Sequence, residues 1–557
     1  MNFPRIFHAN LSNVHHAAFW LAAFSALSAL LGLFRDRLLA STFGASRELD
    51  VYYAAFRVPD MLYTLMLFFA ASTAIIPIFL DAWAKDRKRA EELFGALIGL
   101  FCAVLVVLAA VLFFVFPRLA SVLFSGFSLS EQDMVVRLGR IMLLSPFFLG
   151  LSNIFSSITQ AFRRFFVYAI SPVLYNIGII IGIVFFLPSF GLAGLAWGVA
   201  LGAFFHMAIQ IPSLRNASIV PRFSLSCFDD IGRVVALSAP RTLGLVTTQL
   251  VMTVFAGVAS TLAAGSLAVF SFASNLEYIP VTLVGLSYSV AAFPNLAEFS
   301  IKKSHTEFQQ HFALAFRHIL FWSLPFAVLL LVLRAQIVRV VLGAGSFSWT
   351  DTRLTAAALF LLSIGVMFQS LFLLLVRALY AEGQTLRPVL INVVSALLSI
   401  GGVFWFLRML SPGSAGASVF QMALKLRDIP DIRALALPLG ILIGSAANFV
   451  FLFFVFGAAL GWFPTRGIER AVLKIAAGSV VGGLVAYGGL NIFSHVFDLQ
   501  TFFGIFFQGL CAGVLGIGTT IAVLWALRSE ELSEIYRGMR GMIWKDHIPA
   551  PEPEKLP

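Results

Sequence analysis

The sequence predicts an all-α polytopic membrane protein with about fourteen transmembrane helices, arranged as two pseudo-symmetric six-helix lobes plus two C-terminal helices. Three observations lead to this prediction: the composition, a succession of long apolar runs, and an internal repeat. Hydrophobic residues make up 60% and charged residues only 12% of the 557 residues. Soluble domains have roughly 45–50% apolar and about 25% charged residues, so this composition indicates an integral membrane protein.

Apolar runs of about 20 residues, the length that spans a bilayer as a helix, account for most of the chain. Bounded by charges, prolines and glycines, the predicted spans cover residues 14–41, 50–83, 91–116, 135–161, 166–188, 192–213, 232–260, 266–297, 307–333, 352–381, 387–410, 433–460, 470–494 and 502–528. The amphipathic stretch 417–427 is predicted to lie at the interface, and the residues after 528 are predicted to be an exposed tail.

The chain repeats itself over its first twelve spans. Pro172–Asn176 (PVLYN) recurs as Pro388–Asn392 (PVLIN), and Ala40–Thr42 recurs as Ala259–Thr261 at nearly the same offset along the chain. Because six spans is an even number, the two copies have the same topology and are related by an axis along the membrane normal. The predicted domains are an N-terminal lobe (1–228), a C-terminal lobe (229–462), two extra transmembrane helices (463–530) and a cytoplasmic tail (531–557).

Positive charge in the loops predicts the orientation. Lysines and arginines follow the even-numbered spans, as in Arg87–Arg89 and Arg163–Arg164, whereas the loops after spans 5, 7 and 13 contain neither residue. Cytoplasmic loops retain such charge, so both termini are predicted to be cytoplasmic, although Arg334 and Arg339 depart from the pattern. The basic residues are scattered between apolar runs, which indicates anionic membrane lipids as partners and argues against nucleic acid.

No motif predicts an enzyme. The sequence contains no Gly-x4-Gly-Lys-Ser/Thr phosphate loop and no His-Glu-x-x-His metal motif, and its three cysteines lie far apart. We therefore expect a transporter with no catalytic residues, no cofactor and no metal site. An ion gradient or the membrane potential is the candidate source of energy.

Charged residues inside the first two spans are the first candidates for a binding site. A charge at membrane depth costs roughly 2.5–3.5 kcal/mol at a helix centre and persists where it is paired or faces a wet cavity. We interpret Arg35 and Arg57 as anion ligands and Asp36 as the partner that holds an arginine in place. An interface anchor for Arg35, and a hydrogen bond to backbone freed by Pro59 for Arg57, are the alternatives.

The second copy supplies further candidates. Arg241 follows Pro240 in span 7, where contact with an anion and snorkelling to the interface are both open. Asn275 and Glu277 in span 8 precede Pro280, as Arg57 precedes Pro59 in the first copy. The amides of Gln160, Asn176, Gln249, Gln369 and Asn392 are interpreted mainly as interhelical hydrogen-bonding groups.

The last two spans each carry a pair of glycines four residues apart. Gly478 and Gly482 lie in span 13, and Gly509 and Gly513 lie in span 14. Such spacing lets two backbones approach closely, which predicts a tight pair of helices, with a lipid-accommodating groove as the alternative.

Several local motifs resemble one known family. On Leu31–Asp36 (LGLFRD), Phe43–Ala45 (FGA), Ala55–Pro59 (AFRVP), Gly345–Phe347 (GSF) and Arg377–Ala381 (RALYA), the chain resembles the MurJ/MviN family of lipid II flippases, within the superfamily of multidrug and lipid-oligosaccharide exporters. The resemblance implies a multi-pass protein of the bacterial cytoplasmic membrane. Its expected activity is movement of an undecaprenyl-diphosphate-linked peptidoglycan precursor from the inner to the outer leaflet by alternating access, with cell-wall synthesis proteins as protein partners.

The resemblance also assigns residues. Arg35 and Asp36 match the charged pair on the first helix of the family, and Asp50 matches its acid at the start of the second. Other positions depart from the family pattern, because Ala29 and Asn275 stand where the family has arginines. Either Arg241, a departure in the opposite direction, restores positive charge, or the cargo differs from that of the family.

Two other classes of transporter stay open. A related exporter would move another lipid-linked oligosaccharide that carries the same diphosphate. A cation-coupled multidrug exporter would need an unpaired acid within the membrane, for which Asp36 and Glu277 are the candidates. A scaffold for cell-wall enzymes is a further alternative, and it would tolerate the loss of every charge in the cavity.

Overall fold

The chain was analysed as a computed structural model that describes residues 14–70, 72–162, 164–216, 221–222, 227–460 and 468–543. These residues form helices and connecting turns, with no strand among them. The long helices are α1 (Val14–Phe43), α2 (segments Arg47–Ala55, Arg57–Ala70 and Ser72–Lys85), α3 (Arg87–Leu123), α4 (Leu129–Ala161), α5 (Phe166–Phe190), α6 (Leu192–Arg215), α7 (Asp229–Ser260), α8 (Ser266–Ile301), α9 (His305–Leu342), α10 (Trp349–Ala381), α11 (Leu386–Met409), α12 (Arg433–Leu460), α13 (Ile468–Phe493), α14 (Phe502–Ala526) and α15 (Glu530–Ile543).

The helices confirm the predicted all-α polytopic fold. Each of the fourteen predicted spans coincides with one helix from α1 to α14, and thirteen of these, α2 to α14, are long and apolar enough in the described residues to cross a membrane. The predicted amphipathic stretch contains a short helix, Ala415–Ala423. The predicted exposed tail is wrong in its first part, because residues 530–543 form α15; residues 544–557 lie outside the described residues.

The chain divides into two compact units that do not follow the sequence order. Unit 1 comprises Met1–Ile279, Ile337–Gly365 and Gly383–Leu452, and unit 2 comprises Pro280–Gln336, Val366–Glu382 and Phe453–Pro557. The border within α8 falls at Pro280, which lacks a backbone N–H, and a π-helical turn follows at Val281–Leu286. The division into lobes at residues 228 and 462 stays a prediction.

Within unit 1, close helix packing holds the elements that carry the candidate site. α1 packs against α5, and the Arg57–Ala70 segment of α2 packs against α7. Glycines bring α5 up to α6, because a Cβ added to Gly178 would lie 2.2 Å from the Cα of Gly202. Any larger residue at this crossing would push α5 away from α6 and disturb its contact with α1.

Within unit 2, the glycine motifs of α13 and α14 make different contacts. A Cβ on Gly482 would lie 2.0 Å from Thr520 Oγ1 and 2.6 Å from the carbonyl oxygen of Gly516, so α13 and α14 form the predicted tight pair. The Gly509 and Gly513 motif of α14 faces a different helix. These two glycines contact Gln336 and Leu333 of α9 instead, at 3.2 and 3.3 Å from an added Cβ.

Helix α15 is attached to α9 within unit 2 by ion pairs from Arg317 and by a contact from His318. Arg317 Nη1 lies 2.9 Å from Glu530 Oε2 and 3.5 Å from Glu531 Oε1, and His318 Nε2 lies 3.1 Å from Glu534 Oε2. Glu531 is only 2% exposed. The acidic first turn of α15 therefore serves to dock this helix and is not a solvated tail.

Candidate substrate-binding site

Arg35 and Asp36 on α1 form a closed ion pair inside unit 1. Arg35 donates from Nε and Nη2 to Asp36 Oδ1 at 3.0 and 2.8 Å. Asn275 on α8 donates from Nδ2 to the other carboxylate oxygen at 2.9 Å. Asp36 is 3% exposed, and both of its oxygens have donors from the protein. Asp36 thus holds Arg35 in place, and the cluster as a whole is neutral.

Asn176 on α5 connects this pair to a second helix. Its Oδ1 accepts from Arg35 Nη1 at 3.2 Å, and its Nδ2 donates to Ser28 at 3.2 Å from the carbonyl oxygen and 3.1 Å from Oγ. The interhelical role predicted for Asn176 is confirmed. All three guanidinium nitrogens of Arg35 therefore donate to protein acceptors, which fixes the orientation of the group.

Asp50 binds backbone groups at the start of α8. Its two carboxylate oxygens accept from the backbone N–H groups of Gly265 at 2.7 Å and Ala268 at 2.9 Å, and the residue is 0% exposed. These N–H groups belong to the first turn of α8, where a negative charge is favourable. The Asp50 carboxylate therefore caps α8, and its assignment as a substrate-binding residue stays a prediction.

Arg57 lies where α2 is interrupted. The helix breaks at Phe56, and Pro59 lies in the first turn of the next segment, where its missing N–H costs no hydrogen bond. Asp60 and Tyr53 are the charged and polar groups that interact with Arg57 electrostatically. In the described part of the chain, Arg57 Nε is buried and has no hydrogen-bond acceptor. Arg57 Nε is therefore still available to donate a hydrogen bond, whereas Arg35 Nε already donates to Asp36.

The remaining predicted residues lie on α7 and α8. Arg241 has an exposed side chain on α7, which fits either snorkelling or contact with an anion. Glu277 is buried, at 4% exposure, two residues after Asn275. Asn275 contacts the Arg35–Asp36 pair directly.

Sequence reasoning missed two residues beside Arg57. Tyr53 precedes Arg57 by four residues, and its Oη is a buried hydroxyl with no hydrogen-bond partner among the described residues. Gln249 on α7, interpreted from the sequence as an interhelical link, lies near the Asp60 carboxylate, but its Nε2 reaches no acceptor with hydrogen-bond geometry. The helical spacing of Tyr53 and Arg57 was the available signal, since residues four apart share a helix face.

The two sequence copies interlock at one end of unit 1 through reciprocal contacts. Gly126 N donates to Ser260 Oγ at 3.2 Å, and an added Cβ on Gly126 would lie 2.5 Å from the Ser260 carbonyl oxygen. In the repeat, Gly345 is the counterpart of Gly126 and Ser41 is the counterpart of Ser260. An added Cβ on Gly345 would lie 2.3 Å from the Ser41 carbonyl oxygen. The first copy therefore makes with the second the same contact that the second makes with the first.

Arg47 strengthens the interlock. Its Nη1 and Nη2 donate to the carbonyl oxygens of Ser260 at 3.2 Å and Leu262 at 2.9 Å. These are carbonyls at the C-terminus of α7, where a cation is favourable. The turns α1–α2, α3–α4, α7–α8 and α9–α10 are consequently joined at this end of unit 1.

Comparison with known proteins identifies the family. Residues 39–508 match the family model described as lipid II flippase MurJ. A probable lipid II flippase MurJ of Thermotoga maritima is 27% identical over 528 residues, covering 93% of this chain and 98% of the relative. The lipid II flippase MurJ of Burkholderia cenocepacia is 25% identical over 493 residues, covering 86% of this chain and 91% of the relative.

Solved structures show the same fold. A lipid II flippase MurJ in an inward closed conformation matches with a TM-score of 0.72 at 24% identity, covering 91% of this chain and 99% of that chain. An inward-facing multidrug resistance MATE family transporter of the MOP superfamily matches with a TM-score of 0.63 at 14% identity, covering 78% of this chain and 95% of that chain. Because the family model extends over most of the sequence, the chain belongs to the MurJ family of lipid II flippases.

Proposed function

We propose that this protein moves lipid II, the undecaprenyl-diphosphate-linked peptidoglycan precursor, from the inner to the outer leaflet of the bacterial cytoplasmic membrane by alternating access. The observation that carries the proposal is the match of residues 39–508 to the lipid II flippase family. The charged cluster on α1 and α2 supports it, because a diphosphate is the part of this lipid that arginines recognise.

The geometry supports different roles for the two arginines in this proposal. Arg35 is neutralised by Asp36 and fixed by Asn176, which favours a rigid part of the wall. Arg57 Nε makes no hydrogen bond within the described residues, which favours Arg57 as the primary phosphate ligand. A bound diphosphate stabilises Arg57 in the buried state, and a ligand that stabilises one of two conformations more than the other shifts their populations.

We place both termini in the cytoplasm, since the basic loops follow even-numbered helices. In that orientation the turns that follow odd-numbered helices are on the outer side of the membrane. The contacts of Gly126 with Ser260 and of Gly345 with Ser41 then form the outer closure, which has to separate for release to the outer leaflet. The source of energy and the cell-wall synthesis partners stay predictions.

A flipping assay on reconstituted protein tests the proposal. The full chain is placed in vesicles that contain lipid II, and the fraction of lipid II accessible at the outer leaflet is followed over time. We expect the protein to accelerate its appearance and Arg57→Ala to abolish the acceleration. Arg57→Lys is the matched control, which keeps the charge but lacks the planar set of donors and should retain part of the activity. Vesicles with wild-type protein that behave like empty vesicles would contradict the proposal.

The cation-coupled drug exporter is less well supported. It requires an acid that is free to bind a cation, whereas both oxygens of Asp36 accept hydrogen bonds from Arg35 and Asn275. Arg35→Ala separates the two functions, because it removes a cation from a diphosphate site but makes Asp36 more available to a cationic drug. Efflux of cationic drugs that survives Arg35→Ala while lipid II flipping never occurs would favour the exporter.

A further inference from the structure

Three buried hydrogen-bond donors without acceptors lie where α2 meets α7. They are Tyr53 Oη, Arg57 Nε and Gln249 Nε2; none makes a hydrogen bond of good geometry with the described residues, and Gln249 lies beside the Asp60 carboxylate. Tyr53 and Arg57 lie on either side of the break in α2 at Phe56 and interact electrostatically. Gln249 projects from α7 toward Asp60, which in turn interacts with Arg57. The three donors therefore belong to one place in unit 1.

Leaving buried donors unpaired is expensive. Each costs roughly 1–3 kcal/mol of desolvation, and native proteins contain only a few such groups per 100 residues. Three such donors at one place, one of them in the Arg57 guanidinium group itself, are retained more readily if they serve a ligand that supplies acceptors. All three groups can donate a hydrogen bond, so a ligand that presents several oxygens close together would satisfy them.

We propose that Tyr53 and Gln249 donate hydrogen bonds to the diphosphate of the substrate lipid, and that together with Arg57 they set a preference for a diphosphate over a monophosphate. This inference rests on the proposed function. The diphosphate diester of lipid II offers four non-bridging oxygens on two phosphorus atoms. Arg57 alone can bind one phosphate group. Donors on both α2 and α7 need a ligand whose acceptor oxygens are far enough apart to reach both helices, as the oxygens of two linked phosphate groups are.

The neighbouring cluster of Arg35, Asp36 and Asn176 explains why selection of a diphosphate over a monophosphate depends on Tyr53 and Gln249. Arg35 is held by Asp36 and Asn176, so the cluster adds little net charge to the site. Charge alone attracts any anion, but hydrogen bonds from an uncharged hydroxyl and an uncharged amide depend on where the acceptors lie. Tyr53 and Gln249 are therefore specificity-determining residues in this proposal, and Arg57 supplies most of the affinity.

Binding of two probe lipids to the full chain in nanodiscs tests the inference. The probes are undecaprenyl diphosphate and undecaprenyl monophosphate. We expect wild-type protein to prefer the diphosphate, and Tyr53→Phe and Gln249→Met each to weaken diphosphate binding about tenfold, or about 1.4 kcal/mol. The affinity for the monophosphate should change much less, so the ratio of diphosphate to monophosphate affinity should fall in both variants.

Tyr63→Phe is the matched control. Its hydroxyl accepts from Asn153 Nδ2 at 2.7 Å, so its removal leaves a donor without its acceptor and should lower the unfolding midpoint without changing lipid binding. Tyr53→Phe removes a hydroxyl that has no partner among the described residues, and the unfolding midpoint should stay the same or rise. A midpoint that falls for Tyr53→Phe as it does for Tyr63→Phe would assign the Tyr53 hydroxyl a structural role and overturn the inference.

The remaining outcomes are also decisive. Wild-type affinity for the diphosphate in both Tyr53→Phe and Gln249→Met overturns the inference and leaves the proposed function standing. Wild-type protein that binds neither lipid overturns the proposed function itself. An equal loss of affinity for both lipids in the variants shows that the two side chains contribute to anion binding in general and overturns the preference for a diphosphate.

Discussion

Two asparagines in equivalent positions of the sequence repeat show what the two copies share. Asn176 Nδ2 on α5 donates to the Ser28 carbonyl oxygen on α1 at 3.2 Å, and Asn392 Nδ2 on α11 donates to the Gly244 carbonyl oxygen on α7 at 2.9 Å. Donor and acceptor are 148 residues apart in both cases. The same link between the first and fifth helices is therefore built into each copy, which makes it part of the duplicated scaffold.

The second atom of each amide shows where the copies differ. Asn176 Oδ1 accepts from Arg35, whereas Asn392 Oδ1 accepts from Asn448 at 3.2 Å. The part of α7 that corresponds to the Arg35–Asp36 pair, residues 251–255, reads Val-Met-Thr-Val-Phe and carries no charge. A buried ion pair is weak evidence for stability. The fold of the second copy therefore forms without such a pair at the equivalent position.

The largest effect is expected where the copies contact each other directly. A Cβ on Gly345 would lie 2.3 Å from the Ser41 carbonyl oxygen, and its φ of +55° is unfavourable for a β-branched residue. Overpacking costs about 1–3 kcal/mol and the left-handed backbone about 1–2 kcal/mol more, so Gly345→Val should lose about 3 kcal/mol or more. The unfolding midpoint of the purified protein in detergent measures this.

Gly126→Val tests whether the interlock is reciprocal. It should destabilise the protein less than Gly345→Val, since overpacking against Ser260 is the main penalty there. Gly401 is the control, because no atom lies within 4 Å of an added Cβ; in the interior of α11, Gly401→Ala should be neutral or slightly stabilising. Normal midpoints for both valine variants would show that the two copies do not close on each other at this end.

The next largest loss of stability is expected at the Arg35–Asp36 ion pair, which is a feature of the first copy. Asp36→Asn leaves Arg35 without its carboxylate, and breaking a buried pair costs about 3–5 kcal/mol. We expect a loss at the lower end of this range, because the Arg35 side chain is 22% exposed. Asn448→Ala in the second copy should cost about 1 kcal/mol, the usual value of one hydrogen bond.

A double variant separates stability from transport at this pair. Arg35→Gln combined with Asp36→Asn removes both charges and should recover most of the midpoint lost by Asp36→Asn, whereas lipid II flipping should stay low. Recovery of flipping together with stability would show that the pair only supports the fold.

Structural features that follow from local sequence or from the internal repeat could be predicted, whereas contacts between residues of different copies could not. The helices and the Asn176 and Asn392 links follow from apolar run lengths and from a repeated motif. The role of Asp50 could not be predicted, because the N–H groups it caps belong to Gly265 and Ala268, which lie in the other copy of the repeat. The donors of Tyr53 and Gln249 were missed for the same reason: only the packing of α2 against α7 puts them together.

The two asparagines themselves provide a matched test. Asn176→Ala and Asn392→Ala each remove an interhelical hydrogen bond and should lower stability by a similar amount, about 1–2 kcal/mol. Only Asn176→Ala also frees the Arg35 guanidinium group, so it alone should reduce lipid II flipping in reconstituted vesicles. Equal losses of flipping in the two variants would mean that both copies take part in binding and that the asymmetry of charge has no functional consequence.

The smallest effect is expected at Ser28, whose counterpart in the second copy is Gly244. Ser28 supplies Asn176 with a hydroxyl acceptor at 3.1 Å in addition to its carbonyl oxygen, and glycine has no such group. Ser28→Ala keeps the carbonyl and should cost about 0.5 kcal/mol, partly offset by the better helix propensity of alanine. Ser28→Gly reproduces the second copy and should cost about 0.5–1 kcal/mol more, because glycine destabilises a helix interior. We expect the unfolding midpoint to fall in the order wild type, Ser28→Ala, Ser28→Gly, while both variants still flip lipid II. This result would show that the hydrogen bond to the backbone carbonyl is the feature common to both copies and that the Ser28 hydroxyl adds only a small stabilisation.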